Sequence, residues 1–548
     1  MRLNRRRLGQ ASLGLLMAAC SRSSAQDIIV HGGPIYTGAS PEPAAAVRIS
    51  AGRFAAVGSL DDVRAGRAAR EIDLGGAAAY PGFVDAHCHL GGVGMAAMLL
   101  DLVGVSSMAE LTQRLRDYAA AHPEGPILGR GWIETHWPEA RFPNRADLDA
   151  VVGDRPVLLE RIDGHAAVVN SAAISLADVN ANTPDPAGGR IERDAAGVAT
   201  GMLIDNAMSL VQARLPAATP SMQREALRQG ALIYASRGWT GIANMSTSLA
   251  EAEFFQQFAR AGELPLSADI YLTPEDSEGL FQSGPYGEGA ARVRGVKLYV
   301  DGALGSRGAA LLAPYSDAAG DGLLVTPLEE LRALMARARQ CGAQVATHAI
   351  GDRGNRLVLD AYRDAFVDDE AALRAARWRI EHAQIISPED IPRFAALGVI
   401  ASMQPSHAIS DLYFAPARLG PARLSGAYAW KSLLDSGAIV AGGSDAPVEK
   451  GNPLIEFYAA VYRHALDGFA GPDWHLEEAV SREQALAMFT SAPAFASFSE
   501  AERGTIEVGK RANLSAFSVD LMTADPAAIP EAQAVLTIAE GDVTHTAL

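Results

Sequence analysis

The pattern of apolar and polar positions divides the chain into three textures. Near the N-terminus, "DIIVHGGPIYTG", "AAAVRISAGRFAAVG" and "AAREIDLGGAAAYPG" are short apolar runs broken by glycine. Such runs predict short strands joined by tight turns. The C-terminal stretches "GTIEVGKRANLSAFSV" and "AVLTIAEGDVTHTAL" return to this texture. Two β-rich ends around a different middle predict one small β domain built from both termini, residues 26–80 and 501–548. The middle, residues 81–500, alternates apolar strands with amphipathic helices. Candidate strands are "FVDAH", "TGIANM", "LSADIYL", "RGVKLYVDG", "AQVATH", "WRIEHAQ", "GVIASMQ" and "AIVAGGSD". Helical stretches such as "PLEELRALMARARQCG" lie between them, with Gly342 as a stop signal. Strand–helix repetition predicts a parallel sheet with crossovers, and eight such strands close a (β/α) barrel. Between "FVDAH" and "TGIANM" lie residues 88–239, far more than one crossover needs. Most of that stretch, about 95–225, is expected to be an inserted lobe over the barrel mouth.

Bulk properties narrow the class. The 548 residues exceed one small core. With 49% apolar and 20% charged residues the chain is globular rather than disordered. A formal charge of −17 argues against a nucleic-acid partner, since phosphates want a basic surface. The three cysteines, Cys20, Cys88 and Cys341, form neither a disulfide framework nor a Cys-x-x-Cys metal site. Residues 1–25 have the layout of a signal peptide: a basic start, a short apolar run and small residues before a cut. Arg5-Arg6-Arg7-Leu8-Gly9 fits a loose twin-arginine signal, and "LMAAC" a lipoprotein signal that leaves Cys20 lipidated. Met17 stands where leucine is usual in that signal, and "SSA" before Gln26 is a competing cleavage site. The expectation is an exported bacterial protein, periplasmic or anchored to the membrane through that lipid alone.

Chemistry concentrates at strand ends. In "YPGFVDAHCHLGG", strict alternation puts Asp85, His87 and His89 on one strand face and Val84, Ala86 and Cys88 on the other. Two imidazoles on one face can grip one cation, and neutral imidazole is a common ligand for zinc-like metals. "AQVATH" ends at His348, "WRIEH" at His382 and "AIVAGGSD" at Asp445. Barrel enzymes carry their chemistry at the C-terminal ends of the strands. Four strands closing on metal-competent residues therefore predict a metal centre. In "VRGVKLYVDG", Lys297 shares a face with Tyr299 and Asp301 and points into the barrel. A buried ammonium needs a partner or loses its charge. Two readings stand side by side: Lys297 paired with Asp301 or Asp85, or a neutral amine that has taken up CO2 to bridge two cations.

These stretches resemble the amidohydrolase superfamily, in particular its amidohydrolase family 3 branch of metal-dependent hydrolases. The matching segments are "PGFVDAHCH", "DGHAAVVNS", "GVKLYVDGALGSRGA", "THAIGDRGN", "RIEHAQ", "MQPSH", "GGSDAPVE", "ALAMFTSAPA" and "GTIEVGKRANL", in order over nearly the whole chain. The resemblance implies an α/β fold: a distorted (β/α)8 TIM barrel with a small β-sandwich from both ends. It implies one metal on His87 and His89, a second on His348 and His382, and Lys297 between them as a carbamate. Asp445 would bind the hydrolytic water and the first metal, and act as catalytic base. Asp163, His165 and Gln404 come from branch-signature segments and, with Asp301, are candidates for substrate contact. One departure is small: Asn513 stands where the branch usually has aspartate, far from the chemistry.

The expected cofactor is a divalent metal, zinc first, as one or two ions. The expected partner is a small-molecule substrate, with a dimer as the oligomer to test. The expected reaction is hydrolysis of a non-peptide C–N bond. Its rivals are a lactonase, esterase or phosphoesterase using the same centre, and a non-catalytic exported metal- or solute-binding lipoprotein. Trp132, His136, Trp137, Arg141 and Phe142 either pack the lobe or form a wall over the substrate. His407 is open, Tyr299 and Arg307 are expected supports, and His31, His122, His464, His475 and His545 are expected at the surface or in structural roles.

Overall fold

The computed structural model describes residues 26–548, apart from 67, 135–136, 140, 163–165, 187–188, 217, 368 and 472–473. The expected signal segment with Cys20, and the candidates Asp163, His165 and His136, lie outside the described residues.

Eight parallel strands form the central sheet: β1 (Phe83–Cys88), β2 (Trp239–Thr247), β3 (Ser267–Leu272), β4 (Ala291–Tyr299), β5 (Gln344–Ala349), β6 (Arg379–His382), β7 (Ile400–Met403) and β8 (Val440–Gly442). They pair in sequence order, each with the next. The ring closes through backbone bonds just past β8: Asp445 donates to the His87 carbonyl at 2.7 Å, and His89 donates to that of Ala446 at 2.8 Å. Gly443 permits this approach, because a Cβ there would lie 2.5 Å from the His87 nitrogen. The fold is a nearly closed (β/α)8 barrel with additional domains. Its larger apolar core lies outside the strands, beneath the helices, where Phe83, Val296, Ile380 and Trp430 are buried together. The barrel interior holds small apolar groups, such as Ala86, Ile400 and Ala441, with buried polar residues layered above them.

Strands from both termini form one eight-stranded sheet that curls around its own core of Val30, Val47, Phe54, Leu514 and Leu536. The strand Asp27–Ile35 pairs with Ala69–Asp73 through His31 and with Ala78–Pro81 only at Ile35. Gly32 lies at that change of partner with φ of +87°, where a side chain would collide with Asp73.

The long stretch after β1 carries its own six-stranded sheet, from Leu100–Asp101 to Ala199–Asp205, with an apolar cluster on each face. The helices Leu90–Met98 and Pro220–Ser236 form its stem. They pack so tightly that a Cβ on Gly94 would lie 1.6 Å from the Ala226 carbonyl. The lobe sheet therefore sits inside the expected 95–225 span. Trp132 and Trp137 are buried in one lobe cluster and donate their indole N–H groups to the carbonyls of Leu159 and Val105, both at 2.8 Å. Of the two readings of this aromatic group, lobe packing holds for both tryptophans. Arg141 pairs with Asp147 within the lobe.

Candidate metal centre

The C-terminal ends of β1, β4, β5, β6 and β8 bring His87, His89, Lys297, His348, His382 and Asp445 around one cavity mouth. Donor atoms of His87, His382 and Asp445 all lie within 4.8 Å of one another, and all three residues are buried. The Asp445 Oδ1 is 3.4 Å from His87 Nε2 and 3.2 Å from His89 Nε2. Lys297 Nζ stands 3.3 Å from His87 Nε2. Two of these residues adopt the left-handed backbone conformation just where their strands end: His382 with φ of +73° and Asp445 with φ of +58°. Such conformations are costly for non-glycine residues and cluster at functional sites.

Each ring's outer hydrogen bond sets which nitrogen is free. His87 Nδ1 lies 2.6 Å from the Glu381 carboxylate, His89 Nδ1 3.1 Å from the Met245 carbonyl, and His382 Nδ1 2.8 Å from Gln404 Oε1. All three partners are acceptors, so the proton sits on Nδ1 and the Nε2 lone pair is available to a cation. His348 adds a buried Nε2 with no hydrogen-bond partner among the described residues. Neutral imidazoles, a carboxylate and an orphaned buried nitrogen form a donor set that fits a zinc-like divalent metal.

The electrostatics favour the same state. Burial first, and Lys297 second, push His87 down to about 4 and His348 down to about 3, so both rings are neutral at pH 7. His382 is pushed well down by burial and then by His348. Burial would raise Asp445, but His87, His89 and His382 outweigh it and hold the carboxylate ionised. Burial lowers Lys297 to about 8 against the attraction of Glu381 and Asp445. Neither expected carboxylate partner of Lys297 pairs with it.

Three expectations are corrected. Asp301 does not face the cavity. Its carboxylate is buried and accepts from the backbone N–H groups of Ala310, Ile350 and Gly351 at 2.8–3.0 Å, which ties three loops together behind His348. Gln404 is also off the cavity wall. Its Oε1 is spent on His382 and its Nε2 on the Ser402 carbonyl, so both ends of the amide are engaged within the protein and orient the His382 ring. Asp85 does not share a face with the two histidines. The pairing of β1 with β2 is irregular between Asp85 and Cys88, and the Asp85 carboxylate turns to Tyr234 and Ser444. There it accepts from the Ser444 amide and hydroxyl, fixing the turn that carries Asp445.

The cavity, about 370 Å³, extends from His89, Lys297 and Asp445 to a wall of Leu304, Ile350 and Phe414. Tyr299, Gln384, His407 and Asp411 also line it. Arg307 pairs instead with Asp317. Beyond the cavity wall itself, Glu381 and Gln384 make polar contacts to the site's imidazoles that were not expected. Glu381 is fully buried between Arg379 and His87 and stays ionised, because Arg379 outweighs the cost of burial. Gln384 contacts His407. Alternation hid Glu381: it directs neighbours 381 and 382 to opposite faces, whereas the left-handed turn at His382 lets both serve the interior.

Comparison with known proteins decides the family. The amidohydrolase family model matches residues 70–545. The chain belongs to the amidohydrolase family. It is 33% identical over 532 residues to YtcJ of Bacillus subtilis, covering 94% of this chain and 99% of that protein. It is 30% identical over 533 residues to the N-substituted formamide deformylase of Arthrobacter pascens, covering 91% and 94%. Among solved structures, an uncharacterized metal-dependent hydrolase from Pyrococcus horikoshii OT3 superposes with a TM-score of 0.77 at 27% identity, covering 91% of this chain and 99% of that one. Family membership and the buried His/Asp group together mark the chain as a metal-dependent hydrolase of this family.

Proposed function

We propose that the protein hydrolyses a non-peptide C–N bond, an amide or imide, of an exported-compartment small molecule. The observation that carries the reading is the position of Asp445, held between His87 and His89 on one oxygen and open to the cavity beside His382 and His407 on the other. His87, His89, His348, His382 and Asp445 would hold the metal, zinc first. When bound, a divalent cation lowers the pKa of a coordinated water from near 16 to about 7 and polarises a carbonyl. Asp445 is ionised and therefore takes the water proton as base, then delivers it to the leaving nitrogen as acid. Glu381 and Gln404 keep the ligating rings in the correct tautomer. Leu304, Ile350 and Phe414 exclude water from the apolar part of the substrate. The name of the Arthrobacter pascens relative supports formamides as the first substrates to screen. The basic start and short apolar run of residues 1–25 support export.

Lys297 supports a second element of the reading. A buried amine near pKa 8 is partly neutral at physiological pH, and its lone pair can add to CO2 with loss of one proton. The carbamate so formed would replace a cation beside His87 with an anion able to bridge two metals.

The test is turnover of a panel containing N-substituted formamides, cyclic imides, a lactone and a phosphodiester. Chelation is expected to abolish amide turnover and zinc to restore it. Full amide activity in metal-free protein, or turnover of the lactone or phosphodiester alone, contradicts the proposal. Bicarbonate is expected to speed reconstitution of the wild type and not of Lys297→Met.

A further inference from the structure

One ring at the cavity is wired in the opposite sense from the metal-facing histidines. His407 stands on the helix Pro405–Asp411, after β7, and lines the cavity with His382 and Asp445. Its Nδ1 lies 2.9 Å from Gln384 Nε2. An amide nitrogen donates and has no lone pair to offer, so Nδ1 must accept. The ring proton of neutral His407 therefore resides on Nε2. That nitrogen is buried, in a residue only 7% exposed, and has no hydrogen-bond partner among the described residues. Among the described residues its nearest anionic atom, Asp445 Oδ2, is 3.7 Å away, beyond hydrogen-bonding range. A buried N–H without an acceptor is expensive, about 1–3 kcal/mol, and asks for an explanation.

From this we infer that His407 is a substrate-contacting catalytic residue, whose Nε2–H donates to the carbonyl oxygen of the scissile amide. The inference rests on the amide-hydrolase reading above and adds a residue to it. Three arguments select this role. First, the tautomer excludes His407 as another metal ligand, because Nε2 carries a proton where His87, His89 and His382 carry lone pairs. Second, an amide offers one good acceptor, the carbonyl oxygen; its nitrogen lone pair is delocalised. Third, the donor stands beside Asp445 Oδ2, so a substrate that presents its nitrogen to that carboxylate brings its carbonyl within reach of His407. As hydroxide adds, the C=O π pair moves onto oxygen, and the His407 N–H meets a growing negative charge. No proton leaves the ring. Gln384 is a positioning residue that holds the tautomer. Its backbone carbonyl accepts from the Tyr428 amide, which anchors the main chain that carries it.

The test has two arms that do not require a known substrate. Nitrogen-15 imidazole spectra of zinc-loaded protein, assigned by the signal lost in His407→Phe, are expected to show His407 protonated at Nε2 and bare at Nδ1. Gln384→Glu replaces the donor by an acceptor and is expected to reverse the tautomer. Calorimetry with methylphosphonate, a tetrahedral anion, is expected to show binding to zinc-loaded wild type that weakens tenfold or more in His407→Phe, the scale of a hydrogen bond to a charged group. In turnover of N-phenylformamide, His407→Phe is expected to lose about 10²–10³ in kcat, the usual cost of an oxyanion donor, with unchanged zinc content. His407→Gln, which keeps an N–H donor, recovers part of it. Adding Gln384→Leu to His407→Phe is expected to cost nothing further. A proton on Nδ1 in the wild type overturns the inference. So does methylphosphonate affinity equal in the wild type and His407→Phe. Failure of the underlying reading looks different: the wild type would show no metal-dependent amide turnover at all.

Discussion

The two ends of the barrel bury charge with opposite results. At the N-terminal end, Asp269 on β3 is surrounded by three guanidinium groups: Arg503 at 2.6 Å, Arg292 at 2.9 Å and Arg294 at 3.1 Å. Arg503 also meets the hydroxyls of Ser267, Ser497 and Ser499. Burial would raise the Asp269 pKa, but Arg503, then Arg292 and Arg294, bring it below the usual carboxylate range. At the C-terminal end, His348 and His407 keep nitrogens without partners among the described residues, and Lys297 is driven toward its neutral form. Both clusters are largely buried. The first is saturated with hydrogen bonds and serves as a clamp between the barrel and the segment leading to the terminal strands. The second is left incomplete, in the arrangement that a metal and a substrate would finish. Saturation, rather than burial, separates structural charge from chemical charge in this chain.

The largest effect that sharpens this contrast is expected at Asp445. Asp445→Asn should retain metal and lose at least about a hundredfold in turnover, the usual scale for a general acid–base group. Metal analysis with single-turnover kinetics checks both halves, and near-normal turnover would move the proton chemistry to another residue. At the saturated end the sign of the outcome changes. Asp269→Asn leaves the buried Arg503 and the half-buried Arg292 and Arg294 without their anion and should cost about 3–5 kcal/mol of stability. Turnover per folded molecule should not move, as measured by denaturant unfolding and active-site titration.

A third test uses pH on metal-free protein. Lys297 has a folded pKa near 8 and an ordinary value of 10.5. Between these the unfolded chain holds the proton and the folded chain does not. Stability should therefore rise from pH 8 to 10.5, by at most about 3 kcal/mol, as the unfolded state gives up its excess proton. Below pH 8 the folded chain carries the buried ammonium at full cost. Lys297→Met should remove this increment from the pH–stability curve, and an unchanged slope would show that Lys297 keeps its charge. The smallest effect is expected at Gln404. Gln404→Leu should weaken metal binding about 10–100-fold, the cost of losing a ligand's outer partner, with KM unchanged in metal-saturated enzyme. A raised KM at full metal occupancy would restore Gln404 to the substrate.

Much of this site is legible along the chain because its principal donors close strands. His348, His382 and Asp445 end or follow apolar runs, and a parallel barrel gathers strand ends at one face whatever lies between them. The fold class is legible for the same reason, since alternating strand and helix patterns admit few topologies. The lobe tryptophans read ambiguously because an aromatic cluster looks the same in sequence whether it faces a core or a cavity. Asp301 misled because a carboxylate after an inward strand resembles a site residue. Only the approach of the Ile350 and Gly351 amides, some fifty positions away, shows that its oxygens are already spent.

What the sequence by itself determined is the donor list, the order of the strands and the inward placement of Lys297, because side-chain alternation and strand ends are local properties. What only the tertiary structure decided is the state of each donor. The Nε2 of His87 keeps its lone pair because Glu381, 294 positions away, accepts from the Nδ1–H. His407 carries its proton on the opposite nitrogen because Gln384 donates to it. Asp85 leaves the metal face because the β1–β2 pairing slips beside it. Tautomer and direction depend on which groups meet through space, and in a barrel those groups come from strands whose contact is made only when the ring closes.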